Sequence, residues 1–197
     1  RDQSNKELSV IRKSISLELE NKLITSLKKL GIPNARFKVL FEECEPTING
    51  IDKVNFMFSA NPDLPLKPLA ETASGGEKCR VLLAIKAIFS SFDQANLLVF
   101  DEIDSGVSGS VSTYVANLLC ELSNHRQVFC VTHQPLIAAF ADNHFTLKKR
   151  VIAGKTKSTI LNLKETADRQ RELALLAGGE IVEANAYAAS LLEHKAA

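Results

Sequence analysis

The sequence predicts an α/β fold in which short parallel strands alternate with helices. Two wholly apolar runs, residues 97–100 and 128–131, are each followed by polar residues and a helical stretch. Apolar runs of this length are typical of central parallel strands covered on both faces, and we expect that burial here. The order strand, helix, strand, helix favours parallel pairing of the two strands.

A long helix is predicted over residues 4–30. Its apolar stripe recurs every 3.67 residues or so, closer to a straight helix than to a heptad repeat, and Gly31 and Pro33 end it. We expect the helix to pack on a globular body, at the root of a coiled coil. The chain begins within a polar helical pattern and without Met, which favours a fragment of something longer. The stripe consists of Leu8, Ile11, Ile15, Leu19, Leu23, Leu27 and Leu30.

The other elements follow from alternation, turn residues and apolar periodicity. They are strands over about 36–41 and 54–59, helices over about 74–90 and 110–122, a short helix after Pro135, a hairpin over about 144–147 and 159–163, and two closing helices around Gly178 and Gly179.

Composition is that of an ordinary soluble domain, with 45% hydrophobic and 24% charged residues and a net charge of +1. This charge neither demands nor excludes nucleic acid, so any basic patch must be local. The four cysteines are scattered and three lie in apolar runs, which predicts buried, reduced thiols. We expect a cytoplasmic protein, because no run is long enough to span a membrane and no signal peptide is visible.

Two carboxylates end the first apolar run, at Asp101 and Glu102. Open α/β sheets bind ligands at the carboxyl ends of their strands. An Asp in this position can hold Mg²⁺, and the adjacent Glu can orient or deprotonate an attacking water. An ordinary polar loop after a strand would explain the same residues equally well.

A second motif, Ser74, Gly75, Gly76 and Glu77, opens a predicted helix. Ser followed three residues later by Glu is a capping box. Capping does not require two glycines, whereas paired glycines allow backbone N–H groups to approach an anion at a helix N-terminus. Both interpretations can hold together.

The second apolar run ends in Thr132 and His133. A single His is more often structural than functional, but parallel strands bring this one to the edge that carries Asp101 and Glu102. Asp104 follows these acids closely and predicts a flexible acidic loop beside the same site.

In their order along the chain, these motifs resemble the signature motif, Walker B, D-loop and H-loop of ABC ATPases. The resemblance implies that residues 74–77 contact the γ-phosphate of ATP bound to the opposite head of a dimer. It also implies that Asp101 serves Mg²⁺, that Glu102 is the general base, that Asp104 lines the dimer seam, and that His133 contacts the γ-phosphate in its own head.

The phosphate loop of such an ATPase is absent from this sequence. Gly154, Lys155 and Thr156 carry the last three letters of a Walker A motif, but its first glycine would fall at Lys149. The segment is also typical of a hairpin turn rather than of a loop between a strand and a helix. We therefore expect the chain to be inactive alone and to need an N-terminal Walker A lobe.

The split arrangement resembles SMC-type ATPases, and within them the RecN family of bacterial DNA repair proteins. Transporter subunits usually have Pro after the two acids, whereas Ile103 stands here. Lys78 and Cys79 depart from the Leu-Ser that the family more often has. The resemblance covers nearly the whole chain from about residue 4 and rests on residues 61–62, 65–70, 73–77, 80, 100–109, 130–135 and 172–179.

This resemblance implies an ATP-driven, dimerising machine in double-strand break repair and recombination, with ATP and Mg²⁺ as cofactors. The implied partners are the Walker A lobe, a second head, DNA and a RecA-type recombinase, in the nucleoid and without a membrane. We divide the chain into a coiled-coil root helix, 1–31, and a C-terminal lobe of the head, 32–197. The alternatives are another SMC-type or RecF-like head, a transporter subunit, and an interaction module that has kept the fold.

A basic cluster lies in the predicted hairpin and remains open in function. Either the hairpin is simply solvated, or it contacts a phosphate backbone. The cluster consists of Lys148, Lys149, Arg150, Lys155 and Lys157.

Overall fold

The computed structural model describes residues 2–71, 75–90, 92, 95–152, 155–179 and 181–196. The helices are α1 (Asp2–Lys29), α2 (Gly75–Ile88), α3 (Ser110–Ser123), α4 (Pro135–Ala139), α5 (Thr166–Leu176) and α6 (Val182–Ala196), with a 3₁₀ turn at Leu69–Glu71. The strands are β1 (Arg36–Thr47), β2 (Gly50–Ser59), β3 (Lys67–Pro68), β4 (Leu97–Phe100), β5 (Gln127–Cys130), β6 (His144–Ile152) and β7 (Lys155–Leu163).

The strands form three small sheets within the described residues: β1-β2-β3, β4-β5 and β6-β7. The pairing of β4 with β5 is parallel, as predicted, and Phe100 lies opposite Cys130. The other two sheets are antiparallel. The hairpin β6–β7 is much longer than predicted, because polar and basic residues continue both strands beyond their apolar ends.

Only one face of the β4–β5 sheet is covered by the described chain, so the prediction of burial on both faces is wrong here. Leu98 and Phe100 point into the core, whereas Leu97 and Val99 on the other face are 49% and 62% exposed. Alternate side chains of a strand lie on opposite faces. No described element packs on the second face, and the apolar side chains there stay open.

The main core lies where α1, α2 and α3 pack against the covered faces of the β1–β2 and β4–β5 sheets. Leu23, Leu27 and Leu30 of α1 are fully buried in it. A smaller cluster joins α4, α5 and α6. The three leucines confirm the predicted stripe for the C-terminal half of α1.

The N-terminal half of α1 is held by polar contacts rather than by a core. Ser9 Oγ donates to Asp52 Oδ1 at 2.7 Å, and Arg12 Nη1 donates to Asp52 Oδ2 at 3.3 Å. The stripe residues Ile11 and Ile15 are more than half exposed. The stripe therefore faces the body only in its second half.

The cysteines are free but half-buried, so the prediction of reduced thiols is compatible with the fold and the prediction of full burial is wrong. Among the described helices, none combines the length and the apolar character needed to cross a bilayer.

Candidate functional site

Asp101 and Glu102 lie directly after β4, at the carboxyl edge of the parallel sheet, and both are exposed. Glu102 has a φ of 58°, and no other non-glycine residue of the described chain has a positive φ. Such a conformation costs an L residue about 1–2 kcal/mol. The chain turns sharply here, which places Glu102 against the start of α2.

The two glycines at the start of α2 allow this close contact. A Cβ at Gly75 would lie 2.6 Å from Glu102 Oε2. A Cβ at Gly76 would lie 2.9 Å from Ser105 Cβ and 3.2 Å from the backbone oxygens of Glu102 and Ser105. Glycine is needed at position 76 because the backbone of the loop after β4 occupies that space, whereas at Gly75 the space is taken by the end of the Glu102 side chain.

The other two members of the Ser-Gly-Gly-Glu motif are placed differently. Ser74 lies outside the described residues. Glu77 is half-buried in the first turn of α2, where a negative charge is favourable to the helix dipole. The roles of residues 74–77 toward a nucleotide stay predictions.

A buried carboxylate, that of Asp104, ties the loop after β4 to the loop after β5. Its side chain is 2% exposed. Oδ2 accepts hydrogen bonds from the Thr132 hydroxyl, from the His133 N–H at 2.7 Å and from the Gln134 N–H at 3.2 Å. Gln134 Nε2 in turn donates to Val107 O at 3.1 Å.

This burial differs from the flexible loop at a dimer seam that the sequence suggested for Asp104. The carboxylate turns inward because two backbone N–H groups and a hydroxyl point at it and need an acceptor. Ser105 and Gly106, which follow it, are exposed, and the role of Asp104 at a dimer seam stays a prediction.

His133 is placed at the same edge with an accessible ring. Its Nδ1 lies 3.1 Å from Asp104 Oδ2, and the side chain is 70% exposed. The Asp104 carboxylate thus contacts both the backbone and the ring of His133. This arrangement orients the imidazole outward from the carboxyl edge of the sheet.

Arg80 is a site residue for which motif reasoning assigned no role. Its Nη1 donates to Ser105 O at 2.7 Å, which fastens α2 to the loop after β4. Burial lowers the pKa of the Arg80 guanidinium. The sequence did offer a signal for this role, because Arg80 lies one helical turn after Gly75 and Gly76.

Two thiols, Cys79 and Cys130, lie close behind the Asp101 backbone. Cys79 Sγ donates to Asp101 O at 2.9 Å, and burial raises the pKa of Cys79. Burial, together with the charge of Asp104, raises the pKa of Cys130 to about 12. Both thiols are therefore protonated at neutral pH and fill space rather than act as nucleophiles.

The donor set at this edge fits Mg²⁺ held together with a nucleotide. Mg²⁺ in phosphate sites keeps several waters and takes one or two carboxylates. Asp101 offers one exposed carboxylate, and in the described part of the chain no group of three or more His, Cys, Asp or Glu side chains could hold a metal. A single carboxylate that shares the ion with phosphates and water suits this arrangement.

Comparison with known proteins places this geometry in a family. No protein-family model matches the chain. The chain is 43% identical over 207 aligned residues to the DNA repair protein RecN of Synechocystis sp., covering 97% of this chain and 35% of that protein. It is 35% identical to RecN of Bacillus subtilis, covering 89% of this chain and 33% of that protein. The chain is a RecN-like segment.

The RecN-like segment spans about a third of the length of these relatives. Its fold is that of SMC head domains. A head bound to the C-terminal winged-helix domain of ScpA matches 81% of this chain with a TM-score of 0.51 and 24% identity, over 47% of that chain. The head of Pyrococcus yayanosii Smc with a coiled coil and joint matches 89% of this chain, over 32% of that chain, with a TM-score of 0.59 and 21% identity. The predicted α/β lobe of an SMC-type head is confirmed.

Proposed function

We propose that this RecN-like segment is the C-terminal half of an ATPase head that acts in DNA double-strand break repair and recombination. ATP with Mg²⁺ is bound and hydrolysed where two such heads meet. The observation that carries the proposal is the parallel pairing of β4 with β5. It brings Asp101 and Glu102, which follow β4, and His133, which follows β5, to one edge of the sheet.

The residues of this edge divide the chemistry among them. Mg²⁺, when bound, offsets the negative charge on the phosphates. Asp101 holds the ion, and Glu102 orients and deprotonates the attacking water. His133 contacts the γ-phosphate, and the Asp104 carboxylate holds the imidazole ring of His133 in place. Residues 74–77 contact the γ-phosphate of the opposite head, because a helix N-terminus favours a bound anion.

The rest of the head packs on the open face of the β4–β5 sheet. Leu97, Val99, Phe129 and Val131 are exposed together there, and register places them on one face. An apolar sheet face of this kind is covered in a complete domain. The covering part also supplies the phosphate loop, so we infer that the segment does not turn over ATP alone.

The proposal is tested by Glu102→Gln in the intact protein. Removing a general base lowers turnover by about 100-fold or more while leaving ATP binding in place. ATP-bound dimers then accumulate, which size-exclusion chromatography coupled to light scattering detects. The matched control is Glu43→Gln, which makes the same change at an exposed position on β1. It should leave ATP turnover and dimerisation unchanged. Normal turnover in Glu102→Gln would remove Glu102 from this role.

A further inference from the structure

The hairpin β6–β7 concentrates positive charge. Residues 144–163 contain five Lys or Arg residues and no Asp or Glu, in a chain whose net charge is only +1. The rest of the chain is therefore acidic on balance. The predicted basic cluster is thus a local feature that composition alone conceals.

The strand register gathers four of these cations on one face. Arg150 lies directly opposite Lys157, and the next pairs on the same face are Lys148 with Thr159 and Ile152 with Lys155. Directly opposed residues share a face, and so do residues two apart in a strand. Lys148, Arg150, Lys155 and Lys157, the basic face, are all exposed.

The basic face is unfavourable for the isolated hairpin. Like charges directly opposite one another destabilise a strand pair, and Arg150 and Lys157 are such a pair. Within the described ranges, no carboxylate forms an ion pair with any of the four cations. A bound polyanion would remove this repulsion.

The opposite face of the hairpin is mixed and carries Lys149, Thr156 and Ser158 beside its apolar side chains. Phe145, Leu147, Val151 and Ile160 are exposed on that face. At the base of the hairpin, Thr146 Oγ1 donates to Glu172 Oε1 of α5 at 2.7 Å. Thr146 and the buried His144 share the face of the four cations, so α5 covers only the base of that face. The cations farther along the hairpin are exposed.

We propose that the basic face binds the phosphate backbone of duplex DNA; this rests on the DNA-repair function proposed above. Residues two apart in a strand are about 6.7 Å apart, which suits a repeating row of phosphates rather than one small anion. Single-stranded bases stack on aromatic side chains. The hairpin has one Phe, Phe145, and it lies on the face opposite the four cations. Binding is therefore electrostatic and independent of sequence.

The experiment measures binding of the intact protein to a random-sequence duplex of about 40 base pairs by fluorescence anisotropy across a salt series. Two double variants each remove two charges, Lys148→Gln with Arg150→Gln and Lys155→Gln with Lys157→Gln. Each should reduce the slope of log K against log salt by about 1.8 and weaken binding roughly 60-fold at 0.1 M salt. Basal ATP turnover without DNA should not change.

Two controls make the result specific. Lys6→Gln with Lys13→Gln removes the same charge from exposed positions on α1 and should leave the slope within about 0.5 of wild type. Lys157→Arg keeps the charge and should keep the slope. Thermal denaturation checks that the Gln variants remain folded, as expected when repulsion is relieved.

Each other outcome overturns the proposal in a distinct way. If wild type binds DNA and both hairpin variants bind equally well, the basic face is not the DNA surface, although the DNA-repair function stands. An equal loss in the α1 control would indicate general electrostatics. If polyglutamate or phosphatidylglycerol vesicles bind as tightly as DNA and lose binding in the same hairpin variants, the basic face is a general polyanion site and not a DNA site. Absence of DNA binding by wild type at low salt would overturn the DNA function as well, while the Glu102 test of ATP turnover remains independent.

Discussion

The Asp104 junction and the basic face of the hairpin handle charge in opposite ways. At the junction, one buried carboxylate is surrounded by donors from the loop after β5. On the hairpin, four exposed cations have no carboxylate partner in the described chain. Charge that is satisfied inside the chain holds the fold together, whereas charge left unsatisfied at the surface is available to a ligand.

The strongest test of this comparison is Asp104→Ala. The change leaves the Thr132 hydroxyl and the N–H groups of His133 and Gln134 without their acceptor, so the free energy of unfolding should fall by about 3 kcal/mol. Urea denaturation measures it. Asp63→Ala, on an exposed loop, should change it by less than about 0.5 kcal/mol. Replacing Lys148 and Arg150 with Gln should not lower the free energy of unfolding. If these changes destabilised the protein as much as Asp104→Ala does, the comparison between the junction and the hairpin would be wrong.

The two glycines of α2 should separate stability from turnover. Gly76→Ala places a Cβ against the backbone of Glu102 and Ser105, which should cost about 2 kcal/mol of overpacking. Gly75→Ala instead meets the mobile end of the Glu102 side chain. It should leave stability within about 0.5 kcal/mol while lowering ATP turnover at least tenfold.

Paired urea denaturation and phosphate-release assays on the intact protein measure both quantities. Each glycine serves as the control for the other. A loss of stability as large in Gly75→Ala as in Gly76→Ala would show that Glu102 is as fixed as the backbone there.

The smallest expected effect is a pH dependence at the base of the hairpin, where His144 is buried against α5. Burial, reinforced by the charge of Arg169 and opposed by that of Glu172, lowers the pKa of His144. The unfolded state then binds the proton more readily than the folded state below a pH of about 6.5. Folding stability is therefore lost as the pH falls from about 6.5 through the lowered pKa of the folded state.

The comparison of wild type with His144→Gln isolates this contribution. Between pH 7.5 and 5.5 the variant should lose less unfolding free energy than wild type, as measured by urea titration at each pH. His125→Gln, at an exposed position, is the matched control and should follow wild type. A His144→Gln curve parallel to wild type would show that the proton reaches the folded site as easily as the unfolded one.

Local pattern was sufficient to predict the elements that carry the site. The two apolar runs pair in parallel as β4 and β5, since short runs of β-branched and aromatic residues between helices leave few other arrangements. The helical spacing of the leucines predicted α1. In the structure three of them, Leu23, Leu27 and Leu30, are buried in the core. The assignments of Asp101, Glu102 and His133 to one edge follow from the same parallel order, and their catalytic roles remain predictions.

Only the tertiary structure decided what each polar residue touches. The inward turn of Asp104, the Arg80 contact with Ser105 and the gathering of four cations by the hairpin register join residues far apart in sequence or across a turn. Hydrophobic periodicity reports which face of an element is buried, but not which partner lies opposite. For the same reason the sequence by itself determined that β4 is apolar on both faces, while the tertiary structure decided that the described chain covers only one of them.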